Sequence, residues 1–219
     1  MLTELPRRHV LDATDGWQGV LKHPNEILPQ GIYSLDPELS GVVLYAKNKG
    51  SLCELRNAYG SQQFTFRWTI LARNQVLEES VICSLPIAKS ADGDRMRVSH
   101  KKGKQTRTEF QKQENIGKSF TLWSAKTHFI RPHQIRIHAY EVGIPVLGES
   151  IYNTTLIPSL SDLKLHTKEN RKGPPEPIYD SVMIHLSSVS FPLRGNNYAI
   201  DAPLPDAYAA ALKIIERWS

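Results

Sequence analysis

Asp36 has the most suggestive chemical setting in the chain. It stands in a tight polar turn, Asp36-Pro37-Glu38-Leu39-Ser40-Gly41, that runs directly into the apolar stretch Val42-Val43-Leu44-Tyr45-Ala46. A strand apolar on both faces is buried, so the carboxylate sits at the mouth of a core. There its ionisation and direction can be controlled, as carboxylate chemistry requires. Asp-Pro also opens ordinary turns, and the stretch alone fits a purely structural reading as well. Glu38 is a second acid two residues on, but groups two apart across a proline turn seldom converge on one bond, which weakens a carboxylate-pair hydrolase. His128, His133 and His138 are metal-ligand types. Their steps of five fall on different faces of a helix, so no metal site is expected.

The densest charge lies at 92–107, where Arg95, Arg97, Lys101, Lys102, Lys104 and Arg107 follow Asp94 with no further acid. Gly103 and the polar setting suggest an exposed hairpin loop. Such a run is either a solvated face or a clamp for a polyanion's backbone.

The elements that must position these residues follow from spacing. Residues 1–31 carry Pro6, Pro24 and Pro29 and read as an irregular arm with one short strand around Val20 and Leu21. Leu52, Leu55 and Tyr59 recur at helical spacing over 49–59, and Gly60 is placed to end that helix. Phe66, Trp68 and Ile70 alternate with polar neighbours in a strand over 65–72. A short strand is expected at 81–85, and two antiparallel strands at 106–110 and 119–123, joined by the polar 111–118. Pro132 fits the first position of a helix that Gly143 stops, with Arg136 on its first turn. Residues 154–180 form a polar insertion with one short helical stretch at 160–165 and cations at Lys164, Lys168, Arg171 and Lys172. A strand at 182–191 and a C-terminal helix at 207–218 close the chain, the helix packing Ala210, Leu212, Ile214 and Ile215 into the core.

Composition bounds the answer further. At 219 residues, with 40% apolar and 22% charged residues, the chain is an ordinary globular protein with room for a substantial core. The net charge of +5 mildly favours a polyanionic partner. Cys53 and Cys83 are too few for a disulfide scaffold or a four-ligand zinc site. No signal peptide or membrane span is visible, so a cytoplasmic protein with no membrane partner is expected. Phosphate-binding loops, dinucleotide fingerprints and nucleophile elbows are missing as well.

Two segments resemble one known family. Leu35, Asp36, Ser40, Gly41, Ala46 and Lys47 fit the HRLD-x-x-TSG, apolar strand, AK pattern of the RluA-type pseudouridine synthases, while Tyr33, Ser34 and Leu39 depart from its His, Arg and Thr. The stronger match is Arg131-Pro132-His133-Gln134-Ile135-Arg136-Ile137-His138, similar to the family's GRTHQIRVH. It is followed by Gly143-Ile144-Pro145-Val146-Leu147-Gly148-Glu149-Ser150-Ile151-Tyr152, similar to G-x-P-I-x-G-D-x-x-Y. Both occur in the family's order behind the candidate acid. The resemblance covers roughly residues 32–205, and it leaves no room for the family's optional N-terminal RNA-binding module.

The resemblance implies an α+β fold, a mixed, mostly antiparallel, bent sheet flanked by helices, as a single catalytic domain over 1–219. It implies isomerisation of uridine to pseudouridine in rRNA or tRNA with no cofactor and no metal, on structured RNA, by a monomer. Asp36 would be the catalytic carboxylate, Arg136 the cation that keeps it ionised, and Phe66, in the place of the family's strand Tyr, the ring stacked on a flipped-out base. RNA contacts would come from Arg131, His133, Gln134, Lys101, Lys102 and Lys104. Ser34 stands where the family's Arg assists flipping, a loss Arg131 or the basic loop would have to offset. The rival reading is a non-catalytic RNA-binding protein that retains the synthase fold.

Overall fold

The computed structural model describes residues 26–91, 95–163 and 176–218. The expected strand near Val20 and the insertion cations Lys164, Lys168, Arg171 and Lys172 lie outside the described residues. The architecture is α+β. Its centre is a seven-stranded sheet in the order β11 (Asn196–Asp201), β10 (Ile184–Leu193), β4 (Thr65–Arg73), β9 (Phe120–Thr127), β8 (Thr108–Ile116), β5 (Ser80–Cys83). All these pairings are antiparallel. The seventh strand, β2 (Ser40–Gly41), runs parallel to β10, with Ser40 opposite His185 and Gly41 opposite Leu186. Register shifts at Leu186/Ser188 and Lys112/Glu114 bend the sheet, as an extra residue in one strand does.

Two small sheets flank it. In one, β1 (Glu26–Gly31) pairs with β3 (Tyr45–Asn48); in the other, β6 (Ile87–Lys89) pairs with β7 (Met96–Val98). The strand β1 corrects the expectation of an irregular arm through residue 31: Ile27 and Leu28, beside a proline, gave little periodicity, and the partner strand decides the conformation. The expected buried strand at 42–46 is also corrected. Gly41, at φ +133, lies so close to Leu186 that any Cβ would sit 2.4 Å from its carbonyl oxygen, and Val42 N–H donates to that same carbonyl. The chain then crosses from the large sheet to the small one, and Tyr45 emerges exposed.

Helix α1 (Lys49–Gly60) starts on Asn48, whose side chain accepts from Ser51 N–H at 2.8 Å, a cap that contributes about 1 kcal/mol. On one face of the large sheet, Phe66, Trp68, Ile70 and Ala72 alternate inward beside Trp123, Ala125, Ile184 and Leu186. On the other, Leu71, Leu147 and Met183 pack against Tyr208, Ala211 and Ile215 of α4 (Asp206–Trp218). That seven-residue spacing corrects the expected stripe, because Ala210 faces solvent. The strands β8 and β9 run longer than expected, since residues 111–116 belong to the ladder and the turn is confined to 117–119, opening on Gly117 at φ 62. The described parts of the insertion are packed: Thr155 and Ser159 are buried, Ile157 and Tyr179 join the second core, and one turn of helix, α3 (Leu160–Leu163), follows.

Candidate active site

The turn that carries Asp36 is fixed from several sides. Leu39 N–H donates back to Asp36 O at 2.9 Å, and Ser181 Oγ donates to Glu38 O at 2.8 Å. Tyr33 Oη donates to Val42 O at 3.0 Å. Ser40 Oγ lies 2.8 Å from His185 Nδ1, while His185 Nε2 lies 3.1 Å from the Ala202 carbonyl. A carbonyl only accepts, so Nε2 carries the proton in the neutral ring and Ser40 donates to Nδ1. Ser34 is exposed.

Opposite this turn stands the start of α2 (Gln134–Glu141). Pro132 was expected at the first helical position. It lies instead in a turn closed by Gln134 N–H to Arg131 O at 3.1 Å, and His133 precedes the helix in the left-handed region at φ 55. That conformation costs an L-residue about 1–2 kcal/mol. It aims His133 N–H at Asp36, 3.1 Å from each carboxylate oxygen. The positive end of the helix dipole favours the same charge. Gly143, at φ +76, stops α2 where the sequence places the stop.

Asp36 and Arg136 do not form the expected ion pair. The Arg136 guanidinium is fully buried and grips Glu149 with Nε to Oε2 at 2.7 Å and NH2 to Oε1 at 3.0 Å, while NH1 reaches Glu38 Oε2 at 3.1 Å. A planar fork prefers a bidentate carboxylate, and the Gly143–Gly148 loop delivers one. Gly148, at φ +80, sits where a Cβ would be 2.4 Å from Ser181 O. Leu147 N–H donates to Leu71 O and accepts through its own carbonyl from Met183 N–H, so the loop is sewn to the sheet. Glu149 then also accepts from Ile151 and Tyr152 N–H. Burial would raise the Glu149 carboxyl, but the Arg136 and backbone donors hold it below the usual range. Burial raises Asp36 above the usual carboxylate range, and His133 N–H together with the nearby His133 and Arg136 charges only partly offsets this. Arg136 thus acts on Asp36 through space.

Phe66 is also corrected. Its ring is fully buried, meeting Tyr33 edge-on at 5.0 Å, with Tyr59 and Phe64 against it at 6.1 and 5.6 Å. Tyr33 stands where the family has His, and its ring covers the one expected to stack on a base. Two aromatics line the cleft beside Asp36: Phe129, and Trp68, which is almost wholly buried and whose Nε1 donates to Thr127 Oγ1 at 3.3 Å. Leu35, Leu39, Ile130, Arg131 and Ile135 complete the walls of this shallow cleft.

Gln134 is buried and its amide is committed to the protein. Its Oε1 accepts from Arg131 N–H, and Nε2 donates to Arg107 O and Thr108 Oγ1. It therefore positions Arg131, a correction to its expected role as an RNA contact. Arg131 lines the cleft with its guanidinium 4.8 Å over Phe129, which stacks on Tyr59 at 4.2 Å. Its Nε is the one buried side-chain donor without a hydrogen-bond partner among the described residues. Lys101, Lys102 and Lys104 are exposed on a turn folded back on β6, with Gly103 N–H on Ser99 O and Lys104 paired with Ile87 in both directions.

Sequence reasoning gave no site role to Trp68, Glu149 or Tyr152, and weighed Glu38 only as half of a carboxylate pair. Trp68 shares a strand face with Phe66, so alternation alone does not say which of the two meets the cleft. Glu149 and Tyr152 lie inside the second motif, which was the available signal. No cluster of residues able to hold a metal ion occurs among the described residues.

Comparison with known proteins puts this geometry in context. No family model matches the chain. Ribosomal large subunit pseudouridine synthase C of Buchnera aphidicola (subsp. Acyrthosiphon pisum, strain APS) is 28% identical over 195 residues, 85% of this chain and 58% of that protein. Dual-specificity RNA pseudouridine synthase RluA of Yersinia pestis is 26% identical over 149 residues, 64% of this chain and 69% of that protein. Among solved structures, human RNA pseudouridylate synthase domain containing 4 superposes with a TM-score of 0.64 at 15% identity, over 85% of this chain and 76% of that one. Its counterpart, domain containing 1, gives 0.59 at 20% identity, over 80% and 69%. At such identities the structures establish the fold. The chain spans 58% of the length of the Buchnera relative.

Proposed function

We propose that the chain is a member of the RluA-type pseudouridine synthase family and that it isomerises uridine to pseudouridine in rRNA or tRNA. The observation that carries the reading is Asp36 itself: a half-buried carboxylate on the wall of a shallow cleft, both oxygens facing the His133 amide and neither bonded to a side-chain cation among the described residues. Such a group is oriented yet not neutralised, and it remains free to attack or to take a proton.

In the reaction the bond from the ribose carbon to uracil N1 breaks and a bond to C5 forms, while C5 loses a proton and N1 gains one. Asp36 serves as the nucleophile or base. Arg136, held by Glu149 and Glu38, keeps positive potential near it without quenching it. The base must leave its stack, at a cost of a few kcal/mol. Trp68 forms the apolar wall it meets, and Arg131 on Phe129 offers a guanidinium face beside it. The basic turn with Lys101, Lys102 and Lys104 holds the RNA backbone. In this reading the protein works as a cytoplasmic monomer and without a cofactor, and no described helix is long and apolar enough to cross a membrane.

The test is direct. Purified protein incubated with structured RNA carrying uridine labelled at C5 should release tritium and yield pseudouridine, and Asp36→Asn should abolish both. Equal RNA binding by the two proteins, with no modified uridine from either, would instead establish the non-catalytic binder.

A further inference from the structure

One chain of contacts joins the basic hairpin to the carboxylate. Met96 N–H, in β7, donates to Tyr152 Oη at 3.1 Å. That oxygen lies 2.8 Å from His133 Nδ1, the two rings meeting edge-on at 5.7 Å. His133 N–H then faces both oxygens of Asp36. The middle link holds in either direction, because a phenol oxygen that accepts from Met96 N–H still has its own proton to donate and a second lone pair with which to accept. Met96 already donates to the phenol oxygen, and burial pushes the phenol up to about 12, so it keeps its proton at neutral pH.

The far end of the chain is built for a polyanion. Arg95 and Arg97 flank Met96, both exposed, and Lys101, Lys102 and Lys104 lie on the turn whose backbone is paired to β6. None of the five forms an ion pair with a described acid. An RNA backbone seated there bears on β7, and β7 bears on Tyr152.

We propose that Tyr152 is a positioning residue that couples RNA capture by the β6–β7 hairpin to the orientation of Asp36, through His133. This rests on the pseudouridine synthase reading. Without the phenol hydroxyl, the hairpin still binds RNA, but the left-handed His133 loses the contact that fixes its ring and amide.

Tyr152→Phe keeps the edge-on ring contact and removes both hydrogen bonds. Under single-turnover conditions on structured RNA its rate should fall about tenfold while RNA affinity stays within about twofold. Lys101→Ala with Lys102→Ala should show the opposite split. The double variant Tyr152→Phe with His133→Ala should be no slower than His133→Ala, since both break one chain. A wild-type rate in Tyr152→Phe, or multiplicative losses in the double variant, overturns the proposal. Hydrogen exchange at the His133 amide gives a measurement independent of turnover. RNA should slow it in the wild type and not in Tyr152→Phe. Equal slowing in both, or in the wild type no slowing at all, overturns the coupling. If the wild type makes no pseudouridine, the activity reading falls, and the exchange result still decides the coupling. If Tyr152→Phe does not fold, wild-type exchange with and without RNA decides it alone.

Discussion

Asp36 and Glu149 are both carboxylates withdrawn from water, and their surroundings drive them in opposite directions. Burial dominates at Asp36 and raises it, so the folded state holds its proton more tightly than the unfolded chain does. Its charge therefore opposes folding at neutral pH, and that penalty disappears as pH falls through the raised folded value. Asp36→Asn, inactive, should melt at a higher temperature than the wild type at pH 7, a gap that closes on acidification and is readable by calorimetry. Glu149 behaves inversely. Its lowered carboxyl contributes stability that is full above the unfolded value near 4.5 and lost as pH drops through the lower folded one. Glu149→Ala would leave the buried Arg136 with only the exposed Glu38, and denaturant unfolding should show a loss of about 3 kcal/mol. The sequence displayed the residue types at this site but not their pairing. Arg136 and Asp36 sit in the two strongest motifs, and nothing in either shows that a bidentate Glu149 outcompetes the more distant acid.

Among the elements, those with strong periodicity were readable: α1, β4, β10, α4 and the Gly143 stop of α2 fall close to their expected places. Those set by partners were not. The stretch after Gly41 reads as a strand in apolarity, yet close packing on Leu186 diverts it between sheets. Phe66 and Trp68 share one face of β4 and are both buried, and only packing from other elements, Tyr33 on Phe66 among it, decides that Trp68 is the one bordering the cleft. The basic turn was identified by composition alone, and its exposed lysines make a prediction of their own. Replacing Lys101, Lys102 and Lys104 together by Ala should weaken RNA binding and flatten its logarithmic salt dependence by roughly 2 to 3 units, measured by titration at several ionic strengths.

For the molecule as a whole, the α+β class and the bent, mostly antiparallel sheet were visible in the sequence through the two motifs, whereas the strand order was not. Local patterning does not say that β4 lies between β9 and β10, or that a two-residue strand near Asp36 joins the sheet through β10. Long-range pairing of this kind carries most of the topology and leaves little trace in a window of a dozen residues.

That two-residue contact has a temporal consequence. Ser40 and Gly41 find their partners in His185 and Leu186, and the turn's Glu38 carbonyl finds its donor in Ser181, about 145 positions later. A nascent chain emerging from the ribosome therefore exposes Asp36 long before the partners that fix its turn have been synthesised. On the proposed activity, products ending ahead of residue 181 should be inert toward uridine, which translation of staged truncations followed by nucleoside analysis would reveal.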